Sequence, residues 1–354
     1  MEKDRITLAH GAGGAIMQKL ISSNIMERIA LSHSEQKVDI SLEQLDDAGV
    51  VEGIIFTTDS YVVNPIFFPG GNIGSLAVSG TINDLAVMGA QPLALSLGLI
   101  LEEGLLFSDL DKILDSIGKE SQKTKIPIIT GDTKVMEKGA IDKICINTSG
   151  VGRRSTFLDS NLEEVRKYRD FTGQWLLDSN LKPGDRIILS GSIGDHGVTI
   201  LSTREGYGFE IKIKSDAQPL YSMISKALEE GGIVAMKDPT RGGLANTLNE
   251  WSEKSNVFIE VDEDKIPIKD PVIAACEMLG IDPLNIANEG KVVMGVVPEK
   301  AEEIVNVLRQ TEEGRDAAII GTAKEGDTTV VLNTKVGGKR IVDMPIGDPV
   351  PRIC

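Results

Sequence analysis

Two stretches in which strand-like and helix-like segments alternate, separated by a charged connector, predict a two-domain protein of mixed α and β structure, α/β or α+β in class. The observations behind this are the recurring short runs rich in β-branched residues, the helically spaced apolar positions between them, and 354 residues, enough for two cores. In the first half, 54–63 reads as a strand with Asp59 inside it, and 64–72 as a loop. Residues 74–88 follow as a helix on the spacing of Leu76, Ile82, Leu85 and Met88. Then come a strand over 92–101, an amphipathic helix over 109–123 opened by Ser108, a short buried strand over 126–130 and a strand over 141–151. Residues 153–180, charged and weakly periodic, read as connecting material. The second half repeats the order, with strands at 186–190, 234–237, 257–261, 291–297 and 318–323 and helices at 216–229, 243–252, 271–279 and 299–308.

The expected boundaries are therefore a glycine-rich N-terminal tail over 1–40, a first domain over 41–153, a second over 154–340 and a mobile tail over 341–354. Prolines 345, 349 and 351 stiffen that last segment, because proline fixes φ and pushes its predecessor out of the helical region. At roughly 3.3 Å per residue it could carry the sulfur of Cys354 about 35 Å. A frayed end with an accidental cysteine is the plainer reading. A prenylation box does not apply, since its cysteine stands four residues from the end. The neighbouring α-carboxylate should raise the Cys354 thiol above its reference of about 8.5, with Arg352 partly offsetting it.

Composition narrows the function classes. The chain has 37 basic and 53 acidic residues and a net charge of −16, which opposes non-specific binding to nucleic acid or an anionic membrane. A nucleotide would have to arrive with magnesium. The segment MEKDRITLAH is charged where a secretory signal would be apolar, and no apolar run approaches the ~20 residues of a membrane span, so a cytoplasmic protein is expected. Cys145, Cys276 and Cys354 are far apart, without the pairing of a zinc, iron–sulfur or disulfide framework; the first two read as small buried hydrophobes.

Neither a GxxxxGK[ST] loop nor a GxGxxG following a strand is present, so phosphate would be bound differently. The run His10 to Gly14 offers unobstructed backbone N–H groups suited to folding over a polyphosphate, or is simply a flexible end. Asp59, Asp84 and Asp132 lie in or beside core elements, where each could be a cap or turn residue and where together they would make a hard oxygen site for magnesium, with Lys134 as a point charge on phosphate. Asp238 to Gly243 runs into a helix, an arrangement that suits an anion or a capped loop equally. Glu289 could act as a general base if desolvated, and His196 could orient or protonate a substrate or be an idle turn residue. His33 reads as a solvated surface residue.

HGAGG (10–14), TTDSYVV (57–63), TINDLAVMGAQP (81–92), GDTKV (131–135), SGSIGDHG (190–197), DPTRGGLA (238–245), ANEG (287–290) and PRIC (351–354) together resemble HypE, the carbamoyl dehydratase family of nickel–iron hydrogenase maturation, along essentially the whole chain. The middle motifs also resemble the wider superfamily of aminoimidazole ribonucleotide synthetase and selenophosphate synthetase. The resemblance implies a two-domain α+β, PurM-like fold that binds ATP, usually as a homodimer joined through the N-terminal sheets. It implies that Cys354 receives a carbamoyl group from HypF, that ATP-driven dehydration leaves a thiocyanate, and that its cyanide passes to iron on the HypC–HypD complex. Carried over by motif, Asp59, Asp84 and Asp132 would hold magnesium and the ATP phosphates, with Asn83, Thr133 and Gly11, Gly13 and Gly14 nearby. Lys134, His196 and Glu289 would surround the modified cysteine, and Arg241 the nucleotide or tail channel. A selenophosphate synthetase would carry a reactive residue near the glycine loop, and residues 1–14 hold no cysteine. A purine-type synthetase has no use for a terminal thiol, and a non-catalytic thiol carrier would lack tail-dependent ATP hydrolysis.

Overall fold

The computed structural model describes residues 5–29, 38–204, 212–347 and 349–354, so His33 lies outside the described residues. Helix α1 (Gly14–Leu20) continues through a π-helical turn, Ile21–Met26, into the short α2 (Glu27–Ile29). The first sheet starts at β1 (Val38–Ile40), inside the segment expected to be tail, followed by β2 (Gly49–Val51) and β3 (Ile54–Tyr61). A hairpin of β4 (Phe67–Phe68) and β5 (Gly71–Asn72) precedes α3 (Ile73–Val87), β6 (Ala90–Glu102), α4 (Phe107–Thr124), β7 (Ile128–Met136) and β8 (Ile144–Arg154). Among the described residues the strands outside that hairpin form a six-stranded sheet in the order β1-β2-β3-β8-β6-β7, and β4 and β5 pair only with each other.

Helix α3 determines what this domain can do. Asn72 caps it by accepting from the N–H groups of Gly74 and Ser75, and almost every residue from Ile73 to Val87 is buried. Asp84 is the one position on it that is not fully buried. A helix apolar on all sides has to be covered on all sides. It packs on β3 and β8 on one side and meets α4 and the second domain on the others. Strand β7 corrects two expectations. It runs on through Gly131–Lys134 to Met136, and from Ile129 onward it is exposed rather than buried.

The stretch 153–180 is not mere connecting material: it contains α5 (Thr156–Tyr168). Ser155 caps it through Leu158 N–H, and Leu158, Leu162 and Val165, spaced i, i+4, i+7, form its buried stripe. Next come β9 (Arg186–Leu189), α6 (Asp195–Thr203), α7 (Tyr221–Glu230), β10 (Ile233–Lys237), α8 (Gly243–Ser255), β11 (Phe258–Asp262), α9 (Asp270–Leu279), β12 (Val293–Val296), α10 (Ala301–Arg309), β13 (Ala318–Lys324), β14 (Val330–Asn333) and β15 (Lys339–Ile341). The helix expected from 216 begins at 221, and the polar cluster 195–197 opens α6, a helix buried from Asp195 to Leu201. Among the described residues the second sheet has seven strands in the order β10-β12-β9-β13-β11-β14-β15.

Two polar ties fix the domains together. Asn83 on α3 donates to the carbonyls of Gln218 and Glu289 and accepts from Leu220 N–H. The Asp178 carboxylate takes Lys237 Nζ at 2.9 Å, Lys254 Nζ at 2.7 Å and Trp251 Nε1 at 2.7 Å, while Asp178 N–H donates to Asp46 Oδ1 in the first domain. Burial alone would raise Asp178; the two ammonium groups outweigh it and hold the carboxyl below the usual range.

Candidate active site

A cleft of about 500 Å³ opens between the domains. Its lining contains Gly13 and Gly14 from the start of α1, Asp47, Asp59 from β3, Asp84 from α3, Asp238 and Arg241 from the loop before α8, Glu289 and Cys354. The glycines are required by the backbone. Gly14 stands at φ +67°, and a Cβ there would lie 2.0 Å from the Pro345 carbonyl, to which Ala15 N–H also donates at 2.9 Å. Thus the N-terminal loop is clamped onto the start of the tail. Gly11 faces a second cavity behind it, and its carbonyl accepts from Arg241 Nη1 at 3.4 Å.

The cleft is defined by acids that cannot all ionise. Asp84 Oδ2 accepts from Thr57 Oγ1 at 2.8 Å, and Asp59 Oδ2 accepts from Tyr61 OH at 3.2 Å. Burial first, then the charges of Asp59, Asp238 and Asp47, push Asp84 well above the carboxylate range. Burial and Asp59 raise Asp238 to about 7. Burial raises Asp47 well above its ordinary value against the opposing charge of Lys237. Such mutual repulsion is what a bound cation relieves. Among the described residues no three acidic, histidine or cysteine side chains close on one point, so a hard cation here would need other oxygens, as magnesium does when it bridges phosphates. Asp47, Asp59, Asp84 and Asp238 suit that role by chemistry and by position around one space.

A pH dependence follows. These groups have folded pKa values above their unfolded ones, so the folded state binds the extra protons and stability falls as pH rises from about 4 toward 7. The ligand-free protein is expected to melt a few degrees higher at about pH 5 than at about pH 7.5, with magnesium and ATP together stabilising it more at the higher pH. Differential scanning calorimetry at both pH values checks this; equal melting temperatures would mean the acids are not coupled.

Glu289 is 3% exposed, and its Oε1 has no hydrogen-bond partner. Burial, then Asp238 and Asp216, push its carboxyl well up. Its backbone is fixed by Asp216 Oδ1, which accepts from Glu289 N–H at 3.2 Å, and by Asn83. Arg241 is held protonated chiefly by the charge at Cys354, then by Asp59, Glu289 and Tyr61 against burial.

Several expected site residues sit elsewhere. Asp132, Thr133 and Lys134 are exposed on the edge strand β7, and Asp132 pairs with Lys134 at 2.5 Å, away from the cleft lining. The reason is the sheet order: β7 lies at the end opposite β1, with β6 and β8 between it and β3. Asn83 is fully buried and joins the domains rather than facing the cleft. His196 is buried on α6, its Nε2 2.8 Å from the Ile353 carbonyl and its Nδ1 2.7 Å from Ser215 Oγ, so it meets the tail one residue before the thiol. Cys276 is buried and pushed up to about 11, chiefly by burial, while Cys145 is only half-buried, its thiol also raised by burial. Asp47 and Tyr61 escaped the sequence reading. For Asp47 a signal existed, two adjacent acids entering the apolar run Ala48-Gly-Val-Val51.

The two domains match, over residues 45–154 and 182–333, the N-terminal and C-terminal domains of AIR synthase related proteins. The carbamoyl dehydratase HypE of Escherichia coli is 42% identical over 99% of this chain and 100% of its own length. A putative hydrogenase expression/formation protein of Methanocaldococcus jannaschii is 51% identical over 99% of this chain and all of its own length. The chain belongs to the HypE family. A crystal structure of a HypE protein with ATP superposes with a TM-score of 0.78 at 39% identity, covering 99% of this chain and 100% of that one. A HypE–HypF complex gives 0.81 at 41% identity over 92% of this chain and 99% of that one. Thiamine monophosphate kinase of Aquifex aeolicus, 17% identical with a TM-score of 0.60, shares the fold. The two-domain α+β, PurM-like expectation is thus met. No helix among the described residues is long and apolar enough to cross a membrane.

Proposed function

We propose that this HypE-family chain is an ATP-dependent carbamoyl dehydratase that converts an S-carbamoyl group on Cys354 into a thiocyanate, a source of cyanide for the iron of nickel–iron hydrogenase. One observation carries this reading: Cys354 lines the same cleft as the coupled acids and Glu289. The carbamoyl oxygen attacks the γ-phosphorus of ATP while nitrogen gives up one proton; ADP leaves. Loss of the second N–H proton then expels phosphate and forms the C≡N bond. The net change is S–C(=O)NH2 plus ATP to S–C≡N plus ADP and phosphate. Phosphorylation turns an oxygen that is otherwise a very poor leaving group into a good one.

Within this scheme Glu289 is the proton acceptor. Its raised pKa makes it a stronger base than an exposed carboxylate, and neutralising Asp238 and Asp59 increases the fraction that is ionised. Arg241 stabilises negative charge beside Cys354. Asp47, Asp59, Asp84 and Asp238 would hold magnesium, which supplies charge neutralisation on the phosphates. The glycine loop at Gly13 and Gly14 closes one side of the nucleotide space.

The carbamoyl group would come from HypF, with which a solved relative forms a complex, and the cyanide would go to HypC–HypD, all in the cytoplasm. We assign the open face of the first sheet to a homodimer, supported by exposed Ile54, Phe56, Leu93 and Ile129. Asp132, Thr133 and Lys134 lie at that sheet's edge, so they would reach a nucleotide only from a second copy. The deciding experiment is intact-mass spectrometry after incubation with HypF, carbamoyl phosphate and ATP, with mapping of the tail peptide. A carbamoyl adduct on Cys354 that dehydrates only with hydrolysable ATP is expected; an unmodified tail beside active HypF would point to a purine-synthetase-like enzyme instead.

A further inference from the structure

The last residues occupy a seat in which every main-chain carbonyl has a fixed donor. Arg204, the residue ending α6, reaches Pro351 O at 2.6 Å and Arg352 O at 3.0 Å through Nη2, and Asn64 O at 2.8 Å through Nε. Arg352 O also accepts from Asn64 N–H at 3.1 Å, Ile353 O from His196 Nε2 at 2.8 Å, and Cys354 O from Val62 N–H at 3.0 Å. These three carbonyls and the one carboxylate oxygen of Cys354 are served by residues from both domains. The side chains are seated as well. Ile353 is 1% exposed and packs at Gly197, where an added Cβ would lie 3.1 Å from Ile353 Cδ1. Arg352 stands at φ +56°, a left-handed conformation a non-glycine residue keeps only when its surroundings impose it. Here they do: its guanidinium donates to Val62 O at 3.1 Å and pairs with Asp142 Oδ2 at 2.7 Å.

Such a ladder recognises backbone, so it fixes where the thiol stops without touching it. The sulfur must nevertheless leave this position to be loaded and return to be dehydrated, which follows from the function proposed above. We infer that Arg204, with His196 and the Arg352–Asp142 pair, is the positioning seat that holds Cys354 in the cleft and sets the balance between its docked and released states. Arg204 is the keystone because one planar guanidinium bridges the two tail carbonyls to the Asn64 carbonyl of the first domain, a geometry a lysine cannot reproduce. His196 serves as a neutral donor. Burial lowers its pKa, and Asp216 and the Ile353 carbonyl only partly oppose this.

The test reads tail position without ATP or any partner. Full-length protein is treated with iodoacetamide, and alkylation of Cys354 is followed by tail-peptide mass spectrometry. Arg204→Ala should raise the Cys354 rate about tenfold, the size expected for losing charge-assisted hydrogen bonds. Arg204→Lys should restore part of the protection, and Asp142→Asn should give a smaller rise. In single-turnover assays Arg204→Ala should load with carbamoyl normally and dehydrate more slowly. A folded Arg204→Ala alkylated at the wild-type rate overturns the seat. If that variant does not fold, Asp142→Asn decides, and an unchanged rate again overturns it. Absence of dehydration in a protein whose tail protection responds as described would instead count against the carbamoyl chemistry, leaving the seat standing.

Discussion

Cys354→Ala is expected to abolish thiocyanate formation completely while leaving the affinity for ATP within about twofold of wild type, under 0.5 kcal/mol. The loss is total because no other sulfur can take the role. Cys276 is 2% exposed and its thiol is pushed to about 11; Cys145 sits half-buried within β8, raised in the same direction. Nucleotide affinity survives because the acids of the cleft keep their positions: Asp84 is held by Thr57, and Asp59 by Tyr61, not by the tail. The variant also keeps Ile353 and the carbonyl ladder, so the cleft should not collapse. Isothermal titration with ATP and magnesium, alongside mass analysis of the tail peptide, separates the two effects. Full maturation activity in the variant would defeat the proposed chemistry.

What the sequence revealed depended on whether a residue's role was local. The strand–helix order of both halves was legible because periodicity is set by neighbours three or four positions away. Helix α5 was hidden because its stripe of Leu158, Leu162 and Val165 lies among charged residues whose solvated face dominates the composition. For the site, Asp59, Asp84, Glu289 and Arg241 do meet in one cleft with Cys354. Their signal was a charge set in an apolar element, which demands a partner or a function. Asp132 and Lys134 gave the same kind of signal but stand apart from the cleft of their own chain, since motif order says nothing of sheet order: β7 follows β6 in sequence and takes the edge of the sheet opposite β1. His196 and Arg204 illustrate a further limit. Their partners lie 157 residues away at Ile353 and 147 residues away at Pro351, and they bond to backbone, which leaves no side-chain pattern to read.

Asp84→Ala is expected to weaken magnesium-dependent ATP binding by at least about 100-fold, near 2.7 kcal/mol, without destabilising the empty protein. The two halves of this prediction share one cause. Asp84 is raised by burial and by Asp59, Asp238 and Asp47, so in the folded, ligand-free protein its ionised form is disfavoured. Removing it relieves repulsion, and Thr57 Oγ1 keeps the Asp47 carbonyl as an acceptor at 3.0 Å. Melting temperature near pH 7.5 should therefore be unchanged or higher than wild type, as happens where a site is built at the expense of stability. With the cation present the same repulsion becomes attraction, and the missing carboxylate can no longer neutralise it. Helix α3 cannot compensate by sliding, because it is enclosed on all sides and Asn83 pins it to the backbone of Gln218, Leu220 and Glu289. Titration calorimetry and thermal melts on the same preparation provide both readings. Wild-type nucleotide affinity would remove Asp84 from the site, whereas a lowered melting temperature would show that its carboxyl serves packing rather than the cation.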